Sequence, residues 1–80
     1  MNESDIRSGV REIVASVLSL PAEHVPPGAH FYDDLGGDSL QKLEVIAYVE
    51  SRFGCRLTNE QAAAGDTVDA LVQGVALNVS

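Results

Sequence analysis

The chain is poor in cations, cysteine and aromatic residues, and each shortage argues against a class of protein. It has 5 lysine and arginine residues against 12 acidic ones, for a formal net charge of −7, and it has no tryptophan. Such a surface does not suit nucleic acid or an anionic membrane, whereas it suits partners with basic patches. A single cysteine, Cys55, cannot form an internal disulfide and is expected to be inert.

Long apolar runs are also missing. No stretch approaches the roughly 20 apolar residues of a membrane helix, and no basic-then-apolar start predicts a secretory signal, so a cytoplasmic location is expected. We expect residues 1–80 to form one monomeric domain, because this length leaves no room for an enzyme core with a substrate cleft. His24 and His30 lack helical ligand spacing and are expected to be solvated loop residues without a metal.

The apolar spacing predicts an all-α protein, a small four-helix bundle with three main helices, one short helix and a long first loop. The first helix is expected over residues 3–19 and is ended by Pro21. The charged residues expected to turn largely to water are Glu3, Asp5, Arg7, Arg11 and Glu12. A loop follows over residues 21–37. The side chains expected to anchor it to the bundle are Val25, Phe31 and Leu35.

Capping patterns mark the remaining helices. Asp38 with Gln41 predicts the start of the second helix, which runs to about Phe53. Thr58 with Gln61 predicts the start of the short helix, which Gly65 closes, and the last helix starts near Asp66 or Thr67.

The second helix carries two apolar stripes, although a helix that buries one face needs only one. The expected core stripe consists of Val45, Ile46, Val49 and Phe53. The other combines apolar anchors with a charged rim, as helix-in-groove recognition requires. We call it the docking stripe, and it consists of Leu40, Leu43 and Ala47 bordered by Glu44 and Glu50. The alternative is that both stripes are buried.

Ser39 stands at the start of this second helix, after Gly36, Gly37 and Asp38. A hydroxyl there lies among unpaired backbone N–H groups at the positive end of the helix dipole, which suits a phosphate ester. The stretch from Gly37 to Leu40 also spells the signature of a hydrolase family, but those enzymes need a downstream histidine, and none follows Ser39. The pattern therefore predicts a serine that is modified and does not catalyse.

The run Phe31-Tyr32-Asp33-Asp34-Leu35-Gly36-Gly37-Asp38-Ser39-Leu40, with Leu43-Glu44-Val45-Ile46 and Glu50-Ser51-Arg52-Phe53-Gly54 after it, resembles the acyl carrier proteins. The resemblance implies that a phosphopantetheinyl transferase attaches the 4′-phosphopantetheine arm of coenzyme A to Ser39. It implies that Asp38 helps the transferase recognise the serine and place its magnesium. It also implies that the docking stripe meets enzymes that load, condense or modify acyl thioesters.

Five positions depart from the pattern of fatty-acid carriers: Gln41, Lys42, Ser51, Arg52 and Gly65. They predict a carrier for a dedicated pathway, such as polyketide or lipopeptide synthesis. A peptidyl or aryl carrier, a housekeeping fatty-acid carrier and an unmodified acidic interaction module remain alternatives. Lys42 either contacts the phosphate of the arm or lies along the surface with its amine in water. Gly65 either shapes an acyl pocket or merely ends the short helix.

Overall fold

The computed structural model describes residues 2–79, in which four α-helices follow one another along the chain. They are α1 (Glu3–Leu18), α2 (Ser39–Phe53), α3 (Asn59–Ala64) and α4 (Val68–Val79), with a 3-10 turn at Ala22–His24 in the long first connection. No strand occurs in residues 2–79, so the predicted all-α fold is confirmed. Within the same range no helix is long and apolar enough to cross a membrane. Met1 and Ser80 of the predicted domain lie outside the described residues.

Both predicted capping boxes are present. At the start of α2, the Gln41 N–H donates to Asp38 Oδ1 at 2.8 Å, and the Asp38 N–H donates to Gln41 Oε1 at 3.1 Å. At the start of α3, Thr58 and Gln61 exchange the same two bonds at 3.0 and 2.9 Å. These bonds fix the first turns of both helices because they satisfy N–H groups that have no partner within the helix.

The end of α1 falls one residue earlier than predicted. Ser19 adopts a left-handed conformation with φ of 57°, and the next N–H, that of Leu20, donates to the Ala15 carbonyl at 2.9 Å. The helix is therefore terminated by a left-handed cap before the chain reaches Pro21.

The core lies between α1 and α4, with α2 packed against α1. The predicted core stripe of α2 is confirmed, since Val45 and Val49 are fully buried and Ile46 and Phe53 are half-buried. All three expected loop anchors reach the core or its edge, Leu35 being half-buried. The fully buried side chains are mostly valines: Ile6, Val10, Val14, Val25, Val45, Val49, Val68, Val72 and Val75.

The prediction for the charged residues of α1 holds for Glu3, Asp5 and Glu12, which are exposed, and is wrong for Arg7 and Arg11, which are half-buried. Arg7 Nη2 lies 2.9 Å from Asp69 Oδ1 and so joins α1 to α4. Arg11 Nε donates to the carbonyl oxygens of Ala22 and Val25 at 2.8 and 3.1 Å, which ties the first connection to α1. Both side chains are long enough to cross from the polar edge of α1 to a neighbouring segment.

Candidate functional site

Ser39 is the first residue of α2 and is exposed. The residue directly before it, Asp38, is held by the capping box, because its carboxylate accepts the Gln41 N–H. The hydroxyl thus lies at the end of a 15-residue helix where backbone N–H groups and the helix dipole favour negative charge. An exposed hydroxyl at this position fits a covalent phosphodiester, because the negative phosphate would meet the favourable end of the dipole and would displace no buried group.

The loop before Ser39 contains an ordered turn over residues 31–35, which we call the capped turn. Its acceptor is the His30 imidazole, because Nδ1 receives the N–H groups of Tyr32 and Asp33, both at 3.2 Å. In return, the His30 N–H donates to Asp34 Oδ2 at 2.7 Å. His24 is exposed, as expected, but His30 is half-buried and bonded, so the expectation of a solvated side chain is wrong for it.

Glycine is favoured at the two positions before Asp38 for different physical reasons. Gly36 has φ of 72°, a conformation that side chains disfavour. Gly37 has no such angle, but a Cβ there would overlap the Phe31 ring, at 2.6 Å from Cζ and nearer still to Cε2. The Gly37 N–H also donates to the Phe31 carbonyl at 2.9 Å. The chain therefore reaches Ser39 by passing directly over a buried phenylalanine.

Asp66 joins this loop to α2 and to the connection between α3 and α4. Its Oδ1 accepts from Lys42 Nζ at 2.7 Å, its Oδ2 lies 3.6 Å from His30 Nε2, and its carbonyl oxygen accepts from the Phe31 N–H at 2.6 Å. Lys42 Nζ also lies 5.5 Å from the centre of the Tyr32 ring. The alternative that Lys42 lies along the surface with its amine in water is wrong, because its ammonium is buried in an ion pair with Asp66.

Gly65 both ends α3 and lines a cavity. Its N–H donates to the Ala62 carbonyl at 3.2 Å, and a Cβ there would lie 2.6 Å from Leu71 Cδ2. The cavity measures about 10 Å³, room for a single water. It is lined by Val14, Ala29, Phe31, Leu35, Gly65, Asp66, Thr67, Val68 and Leu71.

The docking stripe lies on the outer face of α2. Leu40 and Leu43 are 68% and 67% exposed, and Glu44 and Ala47 are exposed beside them, so the alternative that both stripes are buried is wrong. Glu50 differs, because it is half-buried and its Oε2 accepts the Leu57 N–H at 2.8 Å. Its carboxylate therefore stabilises the connection between α2 and α3.

Tyr48 is a further exposed apolar residue of α2, and the sequence pattern did not single it out. It borders a groove of about 470 Å³ between α1 and α2. The Arg52 guanidinium crosses that groove to Glu12 Oε2, at 3.0 Å. The positive charge of Arg52, one of the few cations on α2, is therefore paired with a carboxylate of α1.

Cys55 follows α2 and is half-buried. Burial raises the pKa of its thiol above the ordinary value, and the nearby Glu50 carboxylate raises it further. The thiol is thus mostly protonated near neutral pH, which agrees with the expectation of an inert cysteine.

Comparison with known proteins identifies the family of the chain. Residues 8–75 match the family model described as the phosphopantetheine attachment site. The chain is 43% identical to an acyl carrier protein of Thermosynechococcus vestitus, over 85% of this chain and 84% of the relative. It is 41% identical to one of Sinorhizobium fredii (81% and 88%) and 34% identical to one of Acidothermus cellulolyticus (86% and 87%). The chain therefore belongs to the acyl carrier proteins, and its cofactor is a covalently attached 4′-phosphopantetheine.

Proposed function

We propose that Ser39 carries the 4′-phosphopantetheine arm, and that the single observation supporting this most directly is its exposed hydroxyl at the first residue of α2. Its Oγ forms the bond to phosphorus, the phosphoanhydride of coenzyme A breaks, adenosine 3′,5′-bisphosphate leaves, and the hydroxyl proton passes to a base of the transferase. Asp38, directly before it, is proposed to help the transferase place magnesium. When attached, the arm supplies a thiol that holds acyl groups as thioesters.

The surroundings of Ser39 favour a carrier over a catalyst. A serine nucleophile needs a nearby base, and His30, the histidine closest to Ser39 in sequence, already uses Nδ1 to accept two backbone N–H groups. A carrier instead needs an accessible attachment point, since tethering raises the concentration of cargo at each partner. We propose that residues 1–80 act as one monomeric cytoplasmic domain, in keeping with its single free thiol.

Intact mass tests the attachment site. After incubation with coenzyme A, magnesium and a transferase of broad specificity, the wild type should gain the mass of one phosphopantetheine. Ser39→Ala should gain nothing, because it lacks the oxygen that forms the new bond. Ser51→Ala is the matched control, since Ser51 is also an exposed serine of α2, and it should be modified fully.

Two results would contradict this assignment. Modification of Ser39→Ala would place the arm on another residue. A folded, initially unmodified wild type that gains no mass would indicate an unmodified acidic interaction module.

The exposed part of the docking stripe is the proposed contact for the transferase and for acyl-handling enzymes. Leu40, Leu43 and Ala47 supply apolar anchors next to Ser39, and Glu44 supplies a carboxylate for a partner with a basic patch. Glu50 is left out of the proposed contact because its carboxylate is bound to the Leu57 N–H.

Leu43→Ser tests this contact. We expect kcat/KM of the transferase for the protein to fall about tenfold, the effect of one lost interface anchor, with the melting temperature unchanged. Leu77→Ser is the control, since Leu77 is similarly exposed (73%) but lies on α4. Equal kcat/KM for the two variants would show that the stripe does not meet the transferase.

We further propose service in a dedicated pathway, such as polyketide or lipopeptide synthesis. Support comes from the surface of α2, where Glu50 is bound to the Leu57 N–H, so that Glu44 is the glutamate of this helix that remains for a basic partner. A partner would then select the apolar residues more than the charge. A peptidyl or aryl carrier shares this expectation, whereas equal turnover by the loading and condensing enzymes of fatty-acid synthesis would indicate a housekeeping carrier.

A further inference from the structure

The capped turn depends on one unprotonated nitrogen. His30 Nδ1 accepts the N–H groups of Tyr32 and Asp33, so it carries no hydrogen itself. The hydrogen of the neutral ring is then on Nε2, which lies 3.6 Å from Asp66 Oδ2. His30 therefore occupies the place that asparagine, aspartate or serine takes at a helix N-cap, with the difference that its acceptor can be protonated.

This cap is connected to Ser39 through Phe31. Phe31 is the first residue of the capped turn. Its N–H donates to the Asp66 carbonyl, and its carbonyl accepts the Gly37 N–H at 2.9 Å. Its ring lies against Gly37, two residues before Ser39. A change in the capped turn therefore moves the support over which the chain enters α2.

We propose that His30 is a positioning residue for the modification of Ser39, and that protonation of Nδ1 loosens the capped turn and slows the transferase. The proposal rests on Ser39 being the attachment site. A protonated Nδ1 becomes a donor that faces two other donors, so both backbone bonds are lost.

Charged groups lie on both sides of the ring. From its own loop, Asp33 Oδ2 lies 3.7 Å from Nδ1 and would pair with an imidazolium, while Asp34 is held by the His30 N–H. From the connection between α3 and α4, Asp66 faces Nε2, and from α2 the Lys42 ammonium reaches Asp66 on its other oxygen. Protonation thus replaces two backbone bonds with ion pairs to carboxylates already in place.

Two substitutions of His30 distinguish the effect of the hydrogen-bond acceptor from the effect of its protonation. His30→Asn keeps an oxygen that can accept the same N–H groups but has no proton to gain, so it should preserve the capped turn at every pH. His30→Ala removes the acceptor and should loosen the turn at every pH. His24→Asn removes the exposed histidine of the 3-10 turn and controls for the loss of a histidine as such.

The first measurement is the rate of phosphopantetheine transfer to each variant, by one transferase, across the range in which histidine ionises, about pH 5 to 8. Dividing each rate by that of His30→Asn at the same pH cancels the pH dependence of the transferase. We expect this ratio for wild type and His24→Asn to fall about fivefold toward the acid end, equivalent to one lost N-cap. For His30→Ala it should be low throughout, and a ratio for wild type that stays constant with pH would overturn the proposal.

The second measurement does not require modification. The amide resonances of Tyr32 and Asp33 in Ser39→Ala should shift with pH as the bonds to Nδ1 are lost, and should stay fixed when His30→Asn is added. Amides that do not respond to pH would overturn the proposal, even if Ser39 is modified. Absence of modification in the wild type at every pH would instead refute Ser39 as the attachment site, and the amide titration would still test the cap.

Discussion

Replacing Gly37 with alanine is expected to lower the free energy of unfolding by about 2 to 3 kcal/mol, toward the upper end for overpacking a core. The added Cβ would overlap the Phe31 ring, which is 3% exposed. The ring cannot move aside easily, because the Phe31 N–H and carbonyl are bonded to Asp66 and Gly37. Urea denaturation of wild type and variant measures the difference.

Other glycines of the same loop provide the controls. Gly28→Ala should change the free energy of unfolding by less than about 0.5 kcal/mol, because a Cβ there meets nothing within 4 Å. Gly36→Ala should cost about 1 kcal/mol, since its φ of 72° disfavours a side chain although the space is open. Equal losses for Gly37→Ala and Gly28→Ala would show that the Phe31 ring does not require a glycine above it.

Removing the carboxylate of Asp66 is the second change with a large expected effect. Asp66→Ala should lower the free energy of unfolding by about 3 kcal/mol, because it leaves a buried ammonium without its counter-charge. The Lys42 side chain is only 9% exposed, while that of Asp66 is 31% exposed, which keeps the loss at the low end for a buried pair. Thermal and urea denaturation near neutral pH measure it.

A double-mutant cycle distinguishes the lost pair from a general loss of packing. Lys42→Met removes the charge and keeps much of the side-chain volume, so the variant Lys42→Met with Asp66→Ala should be more stable than Asp66→Ala alone. A double variant no more stable than Asp66→Ala would mean that the uncompensated charge is not the cause.

Local patterns predicted the helices and their caps because the interacting residues are close in sequence. Asp38 with Gln41 and Thr58 with Gln61 form capping boxes that depend on a spacing of three residues. The pairing of Lys42 with Asp66 spans 24 residues, and no local pattern specifies it. A signal for the burial of Lys42 was nevertheless present, because it lies three and seven residues before Val45 and Val49 on the same face of α2.

The candidate site was predictable to a similar degree. The exposure of Leu40 and Leu43 follows from the periodicity of α2, which was enough to separate the two stripes. The hydrogen bond that holds the Glu50 carboxylate was not predictable, because its donor is the backbone N–H of Leu57 in an irregular connection. The role of His30 depends in the same way on the conformation of the capped turn, which residue type alone does not determine.

The valine-rich core has a consequence for the order of events on the ribosome. Valine is a weak helix former, and helices of 12 to 16 residues are marginal without tertiary packing, so α1 and α2 gain little stability as the nascent chain emerges. The core is closed only when α4 packs against α1, and α4 is synthesised after both α1 and α2. Asp66, which holds the loop before Ser39, also follows late. The serine is therefore translated well before the structure that presents it exists, and a transferase that recognises this structure acts only after α4 has left the exit tunnel.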